Sequence, residues 1–197
     1  MLNRFHPTRL LASAGAIASF FVLPAGAQAA NTNCPVSGTI LENDFTAIQS
    51  DNWNGPPLNS DLFGSLPGTV EIVQFTHPIT LTGGIAGVGF DQERAWAQYK
   101  TNDFTSHDKV AFDPAAGSGT PATTRATVSC PDGTTRTGGL TINFIATGNY
   151  AANAFTAHFE VIGSSGGLAG TTGNGTVTGE PGVPGGNGPY SGTLHLR

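Results

Sequence analysis

The chain has 197 residues, 8 Lys+Arg against 13 Asp+Glu, and a formal net charge of −5. That balance, with no block of like charge, excludes nucleic acid and an anionic membrane surface as partners, because both are held by clustered positive charge. Glycine (28 residues) and proline (13 residues) are abundant, which argues against a helical protein.

Residues 1–29 read as an export signal. Arg4 and Arg9 make a positive start, 10–23 is apolar apart from small residues, and Ala27-Gln28-Ala29 has the small-x-small form of a cleavage site. The run is too short for a spanning helix and no second apolar stretch follows. A secreted or periplasmic protein without a membrane span is therefore expected. Its mature part, 30–197, has 168 residues, six Lys+Arg and net charge −7, and suits one domain.

Cys34 and Cys130 are the two cysteines of the chain. In an oxidising compartment such a pair forms a disulfide, and neither has the Cys-x-x-Cys spacing or a neighbouring His that a reactive thiol needs.

From residue 36 onward, short runs rich in Thr, Val, Ile and Phe alternate with Gly and Pro, the pattern of strands and turns. Strands are predicted at 36–48, 69–76, 109–112, 123–130, 140–147, 153–162, 175–178 and 190–196. Asp132-Gly133 and Asn174-Gly175 are dipeptides that favour tight reversals. The segment 91–100 is the best helix candidate, although a strand with Ala95, Ala97 and Tyr99 on one side fits it equally. Alternation is clearest late in the chain. Leu140, Ile142, Phe144 and Ala146 share one face, Phe155, Ala157, Phe159 and Val161 another, and Leu194 and Leu196 a third.

The stretch 158–162 (His-Phe-Glu-Val-Ile) runs into Gly163-Ser164-Ser165-Gly166-Gly167-Leu168-Ala169-Gly170, and 190–196 (Tyr-Ser-Gly-Thr-Leu-His-Leu) closes the chain. This block, the last quarter of the mature chain, resembles the closing hairpins of the allene oxide cyclase and dirigent-like barrels, with Leu168 as the large apolar residue of their glycine-rich turn. The resemblance implies an eight-stranded antiparallel barrel with a small apolar pocket, often assembled as a homo-oligomer. The acidic and polar residues those relatives use for ring closure or coupling have no match upstream, so no catalytic residue is carried over.

Several groupings could carry chemistry. His158-x-Glu160, with His195 on a later strand, puts ligand-type side chains on one strand face; they line a pocket if that face turns inward and meet solvent if it does not. Three or four metal ligands cannot be assembled from them, so neither a metal nor another cofactor is expected. The stretch 91–113 mixes carboxylates and bases with Trp96 and Tyr99; it suits a pocket rim, but mixed signs fit a solvated loop or edge strand better. Trp53 is either a sugar-stacking platform or a cap on the core. Gly163 to Gly167 matches Gly-x-Ser-x-Gly by letter, yet no helix follows to make a nucleophile elbow. No Gly-Lys-Ser/Thr is present for a phosphate loop.

The fold expected is all-β, a single antiparallel eight-stranded barrel, with a β-sandwich as the alternative. In the barrel a small, mostly apolar molecule would be bound at the mouth, and cofactor-free isomerisation or cyclisation of it is left open. His158, Glu160, His195, Trp96 and Tyr99 are the candidate ligand-binding residues. A carbohydrate-binding sandwich and a structural envelope or matrix protein are the competing roles.

Overall fold

A computed structural model describes residues 31–42, 70–98, 101–116, 122–181 and 187–197. The export signal, Trp53, Tyr99 and the end of the first predicted strand lie outside the described residues. Among the described residues nine strands follow one another: β1 (Thr32–Glu42), β2 (Val70–Gly83), β3 (Ile85–Gln98), β4 (Asp103–Phe112), β5 (Ala126–Ser129), β6 (Thr135–Asn149), β7 (Ala154–Gly166), β8 (Thr172–Gly179) and β9 (Asn187–Leu196). Among the described residues there is no helix.

Every pairing is antiparallel, and chain neighbours are sheet neighbours around the ring. β9 returns to β1 over ten residue pairs from Thr32↔Leu196 to Leu41↔Asn187, which closes the sheet. The short β5 continues the lane of β4. Phe112 faces Leu140 on β6 and Ala126 faces Gly138, while on β3 Ala111 faces Phe90 and Thr127 faces Ala86. The nine strands thus make eight staves of an up-and-down barrel, an architecture that leaves no free edge. The sandwich alternative is excluded by this closure.

Alternation decides what fills the ring. Leu140, Ile142, Phe144 and Ala146 on β6, and Ala157, Phe159 and Val161 on β7, are buried, while Ile145, Thr156, His158 and Glu160 between them are exposed. One end of the barrel is solid. There Leu81, Ile85, Ile142, Phe144, Phe159 and Tyr190 leave no space for a water molecule. Leu168, in the β7–β8 connection, is wholly buried. The disulfide Cys34–Cys130 ties the start of β1 to the end of β5 at that same end.

Three sequence expectations change. Within 91–100 the strand reading, not the helix, holds over the described residues: Asp91 to Gln98 continue β3, whose first half was not foreseen because two glycines, Gly87 and Gly89, interrupt it. Asn174-Gly175 makes no reversal but sits inside β8, where a Cβ on Gly175 would lie 2.4 Å from the Phe159 ring. That glycine leaves room for the ring and for the Ser191 carbonyl oxygen, which would be closer still at 2.2 Å. Asp132-Gly133 does form the β5–β6 turn, with Gly133 at φ 89°. The third change concerns the charged stretch, whose carboxylates do not all face solvent.

Candidate functional site at the barrel mouth

The inward parity of four staves carries polar groups toward the open end. On β1, Val36 and Ile40 are buried and Glu42 continues their face. On β2, His77 precedes buried Ile79 and Leu81 on theirs. On β3, Asp91, Glu93 and Ala95 share the inner side, and on β4 Ser106 and Asp108 share it with Val110 and Phe112. Register then joins them: His77 is opposite Asp91, and Glu93 is opposite Asp108. The solvated-edge expectation for 91–113 therefore fails for Asp91, Glu93 and Asp108. It holds for exposed Gln92, His107 and Lys109, whose parity is the opposite one.

The opposite staves are apolar. A cavity of about 80 Å³ lies between the two sides. Glu42, Glu93, Ser106 and Asp108 line one part of it, and Phe144, Ala146, Phe155, Ala157 and Val177 line the other. Phe104 and Tyr150, with ring centroids 4.7 Å apart, sit at the rim, where Tyr150 is half exposed. The result is a pocket with an acid wall and a hydrocarbon wall.

Electrostatics follow from burial. Asp91 is 0% exposed and neither carboxylate oxygen accepts a well-formed hydrogen bond. Desolvation first, then the like charges of Asp108, Glu93 and Glu42, push its proton affinity well above the carboxylate range. Burial, followed by the same neighbours Asp108 and Glu42, raises Glu93 to about 9. Burial and Glu42 raise Asp108 to about 7, although the Ser106 hydroxyl donates to its Oδ2 at 3.0 Å and opposes the shift. The remaining oxygens, Glu93 Oε2 and Asp108 Oδ1, are buried and accept no hydrogen bond. His77 is pushed the other way, down to about 4, by burial, so its imidazole is neutral at pH 7. Its Nε2 lies 3.5 Å from Asp91 Oδ2. A site of this kind can hold protons on carboxyl groups at neutral pH, or accept a cation in their place.

Of the residues singled out from the sequence, His158, Glu160 and His195 lie elsewhere, and Tyr99 falls outside the described residues. His158 and Glu160 are exposed on the outer face of β7, so the face they share does not line the interior. His195 is exposed on β9, its Nδ1 2.8 Å from Asn33 Oδ1. Trp96 is in β3, in register with Ile72 and Thr105. None of His158, Glu160 and His195 joins the mouth cavity. A signal for the true inner groups was present, because Asp108 has the parity of Val110 and Phe112, and His77 that of Ile79 and Leu81.

Among described residues, the ligand atoms of His77, Asp91 and Glu93 all lie within 4.8 Å of one another, a spacing suited to one metal ion. No helix among them is long and apolar enough to cross a membrane. No family model, curated protein or solved structure matches this chain.

Proposed function

We propose that this barrel binds a small, mostly apolar molecule at its mouth, with the apolar body against Phe144, Phe155, Ala157 and Val177 and a polar end toward Glu93 and Asp108. The observation that carries the reading is the division of one cavity into an acid wall and a hydrocarbon wall. A purely structural barrel has no use for such a division, since burying carboxyl groups without partners costs folding free energy. At about 80 Å³ the cavity takes a few heavy atoms, so the ligand is a compact molecule or the end of a longer one.

Asp108 is the group placed for proton exchange with such a ligand. One of its oxygens is fixed by Ser106, and the other has no hydrogen-bond partner. Moving a proton within a bound apolar molecule is the elementary step of isomerisation or cyclisation and needs no cofactor. The likeness of the C-terminal block to the allene oxide cyclase and dirigent-like barrels belongs to the same proposal, as does export to an oxidising compartment, which the Cys34–Cys130 disulfide supports.

The test is displacement of a hydrophobic dye from the purified protein by a panel of small apolar compounds. The Ala157→Leu variant fills the cavity from its apolar wall and is expected to abolish displacement while the fold is kept. Displacement that persists in Ala157→Leu, or a wild-type protein that takes up no dye, refutes the reading.

A further inference from the structure

The mouth cavity accounts for Glu93 and Asp108 but not for the two most deeply buried polar groups beside it, His77 and Asp91. We propose that His77, Asp91 and Glu93 form a site for one divalent transition-metal ion. The inference is separate from the apolar-ligand reading and does not depend on it.

The topology builds the triad. His77 and Asp91 are direct partners across β2 and β3, and Asp91 and Glu93 are two residues apart on one strand, hence on one face. Three donors converge from adjacent paired strands, with His77 Nε2 and Asp91 Oδ2 already 3.5 Å apart and the whole set within 4.8 Å. Donors that share an ion at roughly 2.0–2.2 Å stand about 3–4 Å from each other, so side-chain adjustments of rotamer size complete the site.

A second observation points independently to a ligand. Asp91 is wholly buried, and its oxygens accept no well-formed hydrogen bond, only a weak one from the Gln92 amide. Among the described residues the charges acting on it are those of Asp108, Glu93 and Glu42, all of its own sign. A bound cation would satisfy both conditions at once. One imidazole with two carboxylates suits Zn²⁺ or Mn²⁺; Ca²⁺ prefers six to eight oxygens, more than this triad holds. Because Glu93 also lines the cavity, the ion would border the ligand space.

The experiment is isothermal titration of chelator-treated, dialysed protein with ZnCl₂ and with MnCl₂, together with thermal unfolding at each metal ratio. One ion per chain is expected, with a rise in Tm that saturates at one equivalent. Asp91→Asn should lower affinity at least about 100-fold, beyond the loss typical of an outer-shell change. That variant should also raise the Tm of the metal-free protein, because it removes the buried acid. His158→Ala with His195→Ala should leave binding unchanged, which separates the triad from surface histidines. Where Asp91→Asn does not fold, His77→Gln reads the same loss. No heat and no Tm change in folded wild-type protein overturns the proposal. Stoichiometric binding that survives Asp91→Asn or His77→Gln, or that is lost with the surface histidines, overturns it equally.

Discussion

Glu93 and Asp108 stand directly opposite each other on β3 and β4, two carboxyl groups on the inner side of one hydrogen-bonded pair of strands. Opposed like charges destabilise a sheet in water, and more so in a barrel interior. The pair survives by holding protons. Glu93 rises from 4.5 to about 9 and Asp108 from 3.8 to about 7.

A dependence of stability on pH follows for the metal-free protein. A carboxyl group whose proton is held more tightly in the folded state contributes its full stability below its unfolded value and loses it as pH climbs through the folded one. His77 acts oppositely, since its fall from 6.5 to about 4 makes acidification below 6.5 destabilising. Above about pH 7.5, where unfolded His77 is neutral as well, the carboxyl contributions govern, and Tm should decline from there to about pH 9 in chelator-containing buffer. Circular-dichroism melts across that range would check it, and a flat or rising Tm contradicts the assignment.

Tyr190 should be a stability residue rather than a ligand contact. Its hydroxyl accepts the Ile85 amide at 2.7 Å and donates toward the Thr82 and Ile85 carbonyls, each at 3.0 Å. These bonds pin the β2–β3 reversal to β9. Tyr190→Phe keeps the ring and its edge contact with Phe159 but strands a buried amide. A loss of about 1–3 kcal/mol in urea unfolding is expected, with dye displacement unchanged.

The Cys34–Cys130 bridge joins residues 96 apart in sequence. On the chain-entropy model the closure of so long a loop restricts the unfolded state by about 4–5 kcal/mol. The Cys34→Ala/Cys130→Ala double variant should therefore unfold at markedly lower denaturant concentration than the oxidised protein. An unchanged midpoint would place the stabilisation elsewhere.

Much of this architecture was legible beforehand. Leu140 to Ala146 and Phe155 to Val161 announced their inner faces through alternation, and succession without helices implied antiparallel neighbours. β3 was obscured because Gly87 and Gly89 remove the apolar signal that marks a strand. At Gly89 a Cβ would lie 2.4 Å from Val110, so the glycine is dictated by a neighbour about twenty residues away in sequence. The same limit hid the site. His158-x-Glu160 and Asp91-x-Glu93 look alike as text, yet the first faces solvent and the second faces the barrel interior.

Composition and period-two patterning determined by themselves that the chain folds as strands, that its two cysteines pair, and which apolar residues share a face; these are properties of adjacent residues and of residue type. Which polar groups are taken from water was decided in three dimensions. Closure of β9 on β1 gives every stave an inside, and only then do Glu42, His77, Asp91, Glu93 and Asp108, drawn from four different strands, meet in one low-dielectric space.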